Sequence, residues 1–236
     1  MYVLSLDAVN FGSGWFHTLE RRPGGFDYPV VARRLADRFR GEGPWVPDDL
    51  SGLRPAQAAD VFGLPTEHAL AGLFAQALRE LGDFLGERSA TDVVAAAGGS
   101  AEALATDLAG GMGMWRDVGF YKRAQIAASD LALAGVARFD DLHRLTIFAD
   151  NLVPHVLRIA GALRVEPALA EHLDAGRLLP PGRRERELRA SAVVAGERLA
   201  RRLGVTEREL DGMLWQRGQD ERYARTPPHR CHSVFY

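Results

Sequence analysis

Residues 66–87, TEHALAGLFAQALRELGDFLGE, carry a one-sided apolar pattern that decides the fold class. Thr66 is a suitable N-cap, because its hydroxyl can accept a hydrogen bond from a backbone N–H of the first helical turn. The stretch therefore predicts a long amphipathic helix that begins at Thr66 and ends near Glu87. Its apolar side chains recur at intervals of three and four residues, as on one buried helix face: Leu70, Leu73, Phe74, Leu78, Leu81, Phe84 and Leu85.

Similar helical patterns extend along the chain on both sides of this stretch. They predict helices at 29–40, 48–62 (in two short pieces), 92–97, 101–108, 120–134, 154–163, 167–175, 184–203 and 206–217. Glycines predict a turn at Gly24-Gly25 and a loop at 110–113. Strand patterns are confined to residues 2–11, which fit a strand or a helix equally well, and to the extended tail. We therefore expect a mainly α fold, with a single helical domain over residues 1–236 that has room for two lobes.

The composition is that of an ordinary globular protein. Of 236 residues, 47% are hydrophobic and 25% charged, and the formal net charge is −2. This balance argues against a nucleic-acid partner, which usually requires a basic face. No apolar run is long enough to span a bilayer, and the start lacks a basic leader, so we expect a cytoplasmic protein with no membrane partner. Cys231 is the only cysteine, which excludes an intrachain disulfide and a thiolate zinc cluster.

The stretch LTIFADNLVP, residues 145–154, places a carboxylate directly after an apolar run. Such a run would hold Asp150 at the edge of a core, where a bare negative charge is costly unless donors or a developing cation compensate it. A carboxylate held in that way can stabilise positive charge in a transition state. The spacing to Pro154 also fits a helix N-cap, and on spacing alone the cap is the favoured interpretation.

The stretch FYKRAQ, residues 120–125, contains Lys122, the only lysine of the chain. Lys122 and Arg123 lie at a predicted helix start with Tyr121 beside them, so backbone amides and two cations could bind an anion such as a phosphate. The alternative is a solvated basic turn. Basic residues are unfavourable at a helix start, and this mismatch favours a functional role.

The stretch DGMLWQ, residues 211–216, places an acid and an indole on one helix face. Asp211 and Trp215 are four residues apart, and together they could bind a flat cationic heterocycle by charge pairing and stacking. The alternative is a core tryptophan beside a surface acid, which the spacing alone favours.

Two other polar patterns have simpler explanations. The stretch ERELR, residues 185–189, is most simply an exposed helix surface with intrahelical ion pairs. His229 and His232 are three residues apart, but no carboxylate or cysteine cluster accompanies them, so we predict no metal site. No nucleotide-binding glycine loop or HExxH motif is present, and no cofactor is expected.

These segments together resemble the queuosine salvage protein family, the queuosine 5′-phosphate N-glycosylases/hydrolases. The resemblance implies a mainly α fold similar to the helix-hairpin-helix DNA glycosylases. It also implies hydrolysis of the N-glycosidic bond of queuosine 5′-monophosphate, which releases queuine for salvage into tRNA modification. The matching pieces run in the family's order along essentially the whole chain: Leu6–Phe11, Phe120–Ile126, Leu145–Asp150, Val153-Pro154, Glu185–Ala190, Leu214-Trp215, His229-Arg230 and Phe235-Tyr236.

The resemblance also implies roles for individual residues. Asp150 corresponds to the catalytic carboxylate, and Phe148 to part of the base pocket. Asp211, Trp215 and Gln216 lie in the helix that contacts the base in this family.

The remaining substrate contacts are expected from two other motifs. Lys122 and Arg123, with Tyr121 beside them, are the candidates for binding the 5′-phosphate, and Asn10 of the first motif is a further substrate-binding candidate. Relatives generally carry a stretch before this motif, including a His that lines the pocket, whereas this chain starts at Met1. We therefore expect the family's N-terminal segment to be missing from this sequence, either because the start is misplaced or because the protein is shortened. A shortened protein would have a base pocket that is open on one side.

Two other functions remain open from the sequence. A non-catalytic helical nucleotide-binding protein would use Asp150 only as a helix cap. A DNA base glycosylase follows from fold analogy alone, and the mild acidity of the chain counts against it.

Overall fold

The computed structural model describes residues 1–19 and 25–236, and these residues confirm the mainly α prediction. The only β-type contact within them is an isolated parallel bridge between Leu178 and Arg230. Short 3₁₀ helices lie at His17–Leu19, Gly113–Trp115 and Leu142–Arg144. The α-helices are α1 Tyr2–Ala8, α2 Ser13–Phe16, α3 Tyr28–Glu42, α4 Pro47–Ser51, α5 Pro55–Phe62, α6 Ala69–Leu85, α7 Ala90–Ala96, α8 Ala101–Gly111, α9 Lys122–Leu133, α10 Leu152–Ile159, α11 Pro167–Asp174, α12 Arg183–Leu203, α13 Glu207–Arg217 and α14 Glu221–Ala224.

The ambiguous N-terminal stretch is helical, since residues 2–8 form α1. The predicted Gly24-Gly25 turn is only partly visible, because Gly24 lies outside the described residues. Gly25 has a φ of 69°, a left-handed value that suits glycine.

The long helix predicted from residues 66–87 is α6, and it begins later than expected. Residues 65–68 form a turn in which the His68 N–H donates to the Pro65 carbonyl at 3.0 Å. His68 then acts as the N-cap, because its Nδ1 accepts a hydrogen bond from the Leu70 N–H at 3.2 Å. The prediction that Thr66 caps this helix was therefore wrong.

The loop predicted at residues 110–113 is largely helical. Helix α8 continues through Gly111, where a Cβ atom would lie 2.3 Å from the ring of Phe84 on α6. Glycine thus lets the two helices approach closely at this point. The 3₁₀ helix that follows places Trp115 in the core with no exposed surface.

The apolar core has two main parts. The larger part collects buried side chains from α1 and from α3 to α9, and it includes Phe148. The smaller part surrounds α10, α12 and α13, and it includes Ile147 and Val153. The segment 145–150 therefore contributes side chains to both parts of the core.

The C-terminal tail is extended, as predicted, and it buries the side chains of His229, Cys231, Ser233 and Tyr236. The Gly12 N–H donates to the Tyr236 carbonyl at 3.0 Å, and a Cβ at Gly14 would overlap the Cys231 carbonyl. His229 is buried, its Nε2 lies 3.1 Å from the Tyr236 hydroxyl, and burial lowers the pKa of its imidazole to about 3. The tail therefore packs against the N-terminal helices.

Metal clusters and membrane helices are both missing from residues 1–19 and 25–236. No group of three or more His, Cys, Asp or Glu side chains within these ranges is arranged to hold a metal ion. No helix found there combines the length and the apolar character needed to cross a bilayer. The thiol of Cys231 is free and buried.

Candidate active site

A cavity of about 350 Å³ opens where the two parts of the core meet. Its volume lies in the range typical of small-molecule sites. Most of the predicted site residues face it together, although they come from distant parts of the chain. Its walls include Asn10, Phe11, Tyr28, Lys122, Ile126, Phe148, Asp150, Asn151, Leu152, Asp211, Trp215, Gln219, Pro228 and Tyr236.

Asp150 is fixed at the beginning of α10. The backbone N–H groups of Leu152 and Val153 both donate to its Oδ1, at 2.8 and 3.0 Å. The carboxylate therefore does cap the helix, and the positive end of the helix dipole compensates its charge. Asn151 holds the next position, because its Nδ2 donates to the His229 carbonyl at 3.1 Å. The cap thus orients Asp150 in the cavity wall and is compatible with a chemical role.

Asp211 projects from α13 into the same cavity and is 7% exposed. Its Oδ1 accepts a hydrogen bond from the Phe148 N–H at 2.9 Å. Burial, together with the negative charge of Asp150, raises the pKa of Asp211 to about 7. Asp211 is therefore largely protonated below neutral pH, beside the carboxyl group of Asp150 in the same cavity wall.

Lys122 places its ammonium group in the wall of this cavity. Its Nζ donates to the backbone carbonyl of Asn10 at 3.1 Å and to the Asn10 side-chain oxygen at 3.0 Å. Burial lowers the pKa of this ammonium group, while the nearby charge of Asp150 opposes the shift. Lys122 and Asn10 therefore act as one unit beside the carboxylates.

Two aromatic side chains offer apolar surface to a ligand. Phe148 is buried, whereas Trp215 is 42% exposed and stands at the rim. Aromatic rings in such positions can stack on a flat heterocycle. The spacing of Asp211 and Trp215 on α13 does bring both side chains to the cavity, as the sequence predicts.

Three predicted substrate contacts lie elsewhere. Gln216 is exposed, and Gln219 lines the cavity in its place. Tyr121 lines a different cleft. Arg123 is 1% exposed, and its guanidinium donates to the Ala8 and Met114 carbonyls and lies over the rings of the core. Successive residues of a helix point about 100° apart, so neighbouring side chains at the start of α9 diverge.

Arg189 is a buried residue whose role the sequence analysis did not identify. It pairs with Glu185, as the i,i+4 spacing predicts, with Nη1 3.3 Å from Oε1. Both side chains are buried, at 1% and 5% exposed, so the prediction of an exposed helix surface was wrong. The guanidinium also binds both carboxylate oxygens of the buried Asp117. We call Arg189, Asp117 and Glu185 the Arg189 clamp.

The Arg189 clamp contacts the backbone on two sides of the cavity. Arg189 Nε donates to the carbonyl of Ala149, the residue before Asp150, at 2.8 Å. Asp117 accepts a hydrogen bond from the Lys122 N–H at 3.4 Å. The guanidinium also lies 4.7 Å from the ring centre of Tyr236, which lines the cavity. No local sequence signal indicates the clamp, because Asp117 lies 72 positions before Arg189.

Comparison with known proteins gives a consistent set of relatives. A family model described as queuosine salvage protein matches residues 1–236. A queuosine 5′-phosphate N-glycosylase/hydrolase of Sphaerobacter thermophilus is 36% identical over an alignment of 261 positions, gaps included. The alignment covers 100% of this chain and 80% of the relative. Proteins of the same name from Dictyostelium discoideum and Nematostella vectensis are 35% and 28% identical. Their alignments cover 51% and 72% of this chain, and 41% and 60% of the relatives.

Proposed function

Because the chain belongs to the queuosine salvage protein family, we propose that it hydrolyses the N-glycosidic bond of queuosine 5′-monophosphate and releases queuine. The observation that carries this proposal is the position of Asp150, a carboxylate fixed by two backbone N–H groups in the wall of a ligand-sized cavity. The names of the similar proteins support the choice of substrate.

The reaction requires stabilisation of positive charge on the sugar. As the bond from C1′ to the base nitrogen breaks, its electron pair leaves with the base, and the ribose ring becomes cationic. The Asp150 carboxylate would stabilise this cation or accept a proton from the attacking water. Water supplies the hydroxyl group at C1′ and gives up one proton. That proton, passed on by Asp150 where Asp150 has accepted it, neutralises the departing base and leaves Asp150 as a carboxylate again.

Asp211 and the two aromatic rings would recognise the base. Queuine carries a secondary amine that is cationic near neutral pH. The carboxylate of Asp211 would form an ion pair with this amine. Pairing would lower the raised pKa of Asp211, so binding would favour its ionised form. Phe148 and Trp215 would stack on the flat deazapurine.

Lys122 is the remaining candidate for the 5′-phosphate. Its ammonium group lines the cavity, whereas Arg123 is committed to carbonyls in the core. We therefore assign the phosphate contact to Lys122 with Asn10, without Arg123.

The function is tested by incubating the purified chain with queuosine 5′-monophosphate and detecting the free base by mass spectrometry. Asp150→Asn should lower kcat by at least about 100-fold, the lower end of general acid–base contributions. The amide oxygen can still accept the two N–H groups of α10, so the unfolding temperature should change little.

The cap bonds of Asp150 would suit a non-catalytic nucleotide-binding protein equally well. Such a protein would bind queuosine 5′-monophosphate and leave it intact. A parent chain that binds without releasing base, or an Asp150→Asn variant that keeps the parental rate, would support that alternative. Binding of duplex DNA at low salt would instead indicate a DNA base glycosylase.

The phosphate assignment is tested with Lys122→Ala. If Lys122 contacts the phosphate, kcat/KM should fall more for the monophosphate than for the free nucleoside. If Lys122 serves only as a counter-ion for Asp150, both values should fall by the same factor. An unchanged ratio between the two substrates therefore rejects the assignment.

A further inference from the structure

A second cleft of about 540 Å³ lies beside α9 and is larger than the candidate active site. It lies between α8, the residues that precede α9 and the start of the segment 144–150. The family motif at residues 120–126 contributes to it, although the proposed function does not use these side chains. Its walls are formed by Glu102, Ala105, Thr106, Ala109, Gly110, Arg116, Val118, Gly119, Phe120, Tyr121, Gln125, Arg144, Leu145 and Thr146.

Helix α9 separates this cleft from the candidate active site. Tyr121 and Gln125, four residues apart, face the cleft, whereas Lys122 and Ile126 face the active-site cavity. The i, i+4 spacing puts each pair on one side of the helix. The side chains of the segment 144–150 also point to both spaces, since Thr146 lines the cleft and Phe148 lines the cavity. The two spaces are therefore distinct.

A partly buried hydrogen-bond network preforms one wall of the cleft. Gln125 Nε2 donates to the Phe120 carbonyl at 2.8 Å and to Thr146 Oγ1 at 3.0 Å. The Thr146 N–H donates back to Gln125 Oε1 at 2.8 Å. A ligand that enters the cleft would not have to order these groups, which lowers the entropic cost of binding.

Tyr121 stands in the wall of the cleft in a strained conformation. Its φ of 50° makes it the only non-glycine with positive φ in the ranges 1–19 and 25–236. The left-handed conformation costs roughly 1–2 kcal/mol for a residue with a Cβ. The side chain nevertheless remains 40% exposed, beside Val118 at 55%. Strain of this kind persists preferentially where the surrounding structure presents a side chain to a ligand.

Two arginines and one glutamate line the cleft, which leaves it with one net positive charge. Arg116 donates to the Gly110 carbonyl at 2.9 Å and has further N–H groups to offer. Arg144 pairs with Glu102 at 2.8 Å, but the two side chains are 61% and 59% exposed. An exposed pair of this kind contributes little stability and can rearrange to accept an anion.

We propose that this cleft is a second ligand site, which binds a small flat aromatic molecule that carries an anionic group. The ring lies against Tyr121 and the apolar wall, and the anion is bound by Arg116 and Arg144. Arg–phosphate and Arg–carboxylate pairs share this chemistry, so the anion is a phosphate or a carboxylate. The site is independent of the proposed glycosidase activity.

The test is equilibrium binding by calorimetry to the full chain, with AMP and indole-3-carboxylate as anionic probes. Adenosine and indole are their neutral counterparts. We expect at least one anionic probe to bind, and to bind at least tenfold more tightly than its neutral counterpart. If neither anion binds at millimolar concentration, or if the neutral molecules bind equally well, the proposal is overturned.

Variants then locate the binding. In the double variant Arg116→Gln/Arg144→Gln, both changes are on the surface, and probe affinity should fall at least tenfold while the unfolding temperature is kept. Trp215→Ala removes an aromatic wall of the active-site cavity and should leave probe affinity unchanged. The reverse pattern, with affinity lost in Trp215→Ala and kept in the double variant, would place the probe in the active-site cavity and overturn the proposal.

Discussion

Asp150 and Asp211 differ in what compensates their negative charge. Asp150 accepts two backbone hydrogen bonds at a helix start, while Asp211 accepts one, from Phe148, and is more deeply buried. Each additional charge in a buried site is more costly than the first, so the second carboxyl group keeps its proton more strongly. Asp211 is that second group, and burial and the charge of Asp150 both raise its pKa.

The raised pKa of Asp211 makes stability depend on pH. The value is about 7 in the folded chain, against 3.8 for a free carboxyl group. The folded state therefore holds a proton that the unfolded chain releases above pH 4, and the resulting stability is lost as pH rises through 7. Asp211→Asn mimics the protonated carboxyl group and keeps an acceptor for the Phe148 N–H. Relative to the parent, it should gain stability between pH 4 and 7, by up to about 1.4 kcal/mol per pH unit.

Urea unfolding of both chains at intervals across this range measures the difference. Parallel stability curves would show that Asp211 is not protonated in the folded chain. The Asp150→Asn background provides a control for the cause. Without the charge of Asp150, the pKa of Asp211 should be lower, so the gain from Asp211→Asn should level off at a lower pH.

Helix α12 carries Arg189, which links several elements of the site to one another. Arg189 bonds to the carbonyl before Asp150, and its partner Asp117 accepts the Lys122 N–H. A buried charge pair of this kind is not a general source of stability, because desolvation offsets the attraction. Its clearest consequence is geometric, since one planar guanidinium fixes the backbone on both sides of the cavity.

Arg189→Lys should therefore impair catalysis more than ligand binding. Lysine keeps the charge but cannot bond to Asp117, Glu185 and Ala149 in the arginine geometry. We expect kcat to fall at least tenfold with a smaller change in KM, because a displaced Asp150 would lose transition-state contact first. Steady-state kinetics on queuosine 5′-monophosphate measure both values.

The matched control lies on the same helix. Arg183 also pairs with a glutamate four residues on, at 2.7 Å, but its side chain is 89% exposed. Arg183→Lys should leave kcat and KM at the parental values. Equal effects of the two substitutions would contradict a positioning role for Arg189. So would an Arg189→Lys variant with a raised KM and an unchanged kcat.

Local patterns in the sequence predicted where helices begin better than they predicted which way individual side chains point. The predicted start of the helix at residue 206 is confirmed, because Thr206 and Glu209 form a capping box whose hydrogen bonds are both local. The burial of Arg189 depends on Asp117, 72 positions away, which no local pattern reveals. In the same way, Lys122 reaches the cavity while Arg123 enters the core, although both are basic residues at one helix start.

At the scale of the whole molecule, the candidate site joins distant parts of the chain. Phe148 packs in the larger part of the core and Asp211 projects from α13, a helix of the smaller part, while both side chains line the cavity. Local patterns singled out Asp150, Lys122, Asp211 and Trp215 separately, and only the family resemblance grouped them into one site. Their convergence depends on tertiary packing, to which the C-terminal tail contributes through Pro228 and Tyr236.

A ligand in this cavity should therefore stabilise the whole fold. A molecule that binds only the folded chain raises the free energy of unfolding by RT ln(1 + [L]/Kd), about 2.7 kcal/mol at 100 times Kd. The Asp150→Asn variant allows queuosine 5′-monophosphate itself to be used, since turnover would otherwise consume it. Denaturant unfolding with and without the nucleotide should show this increase in one cooperative transition, because the ligand contacts elements from both parts of the core. Adding Trp215→Ala should reduce the increase, and an increase of the same size in that double variant would place the nucleotide outside this cavity.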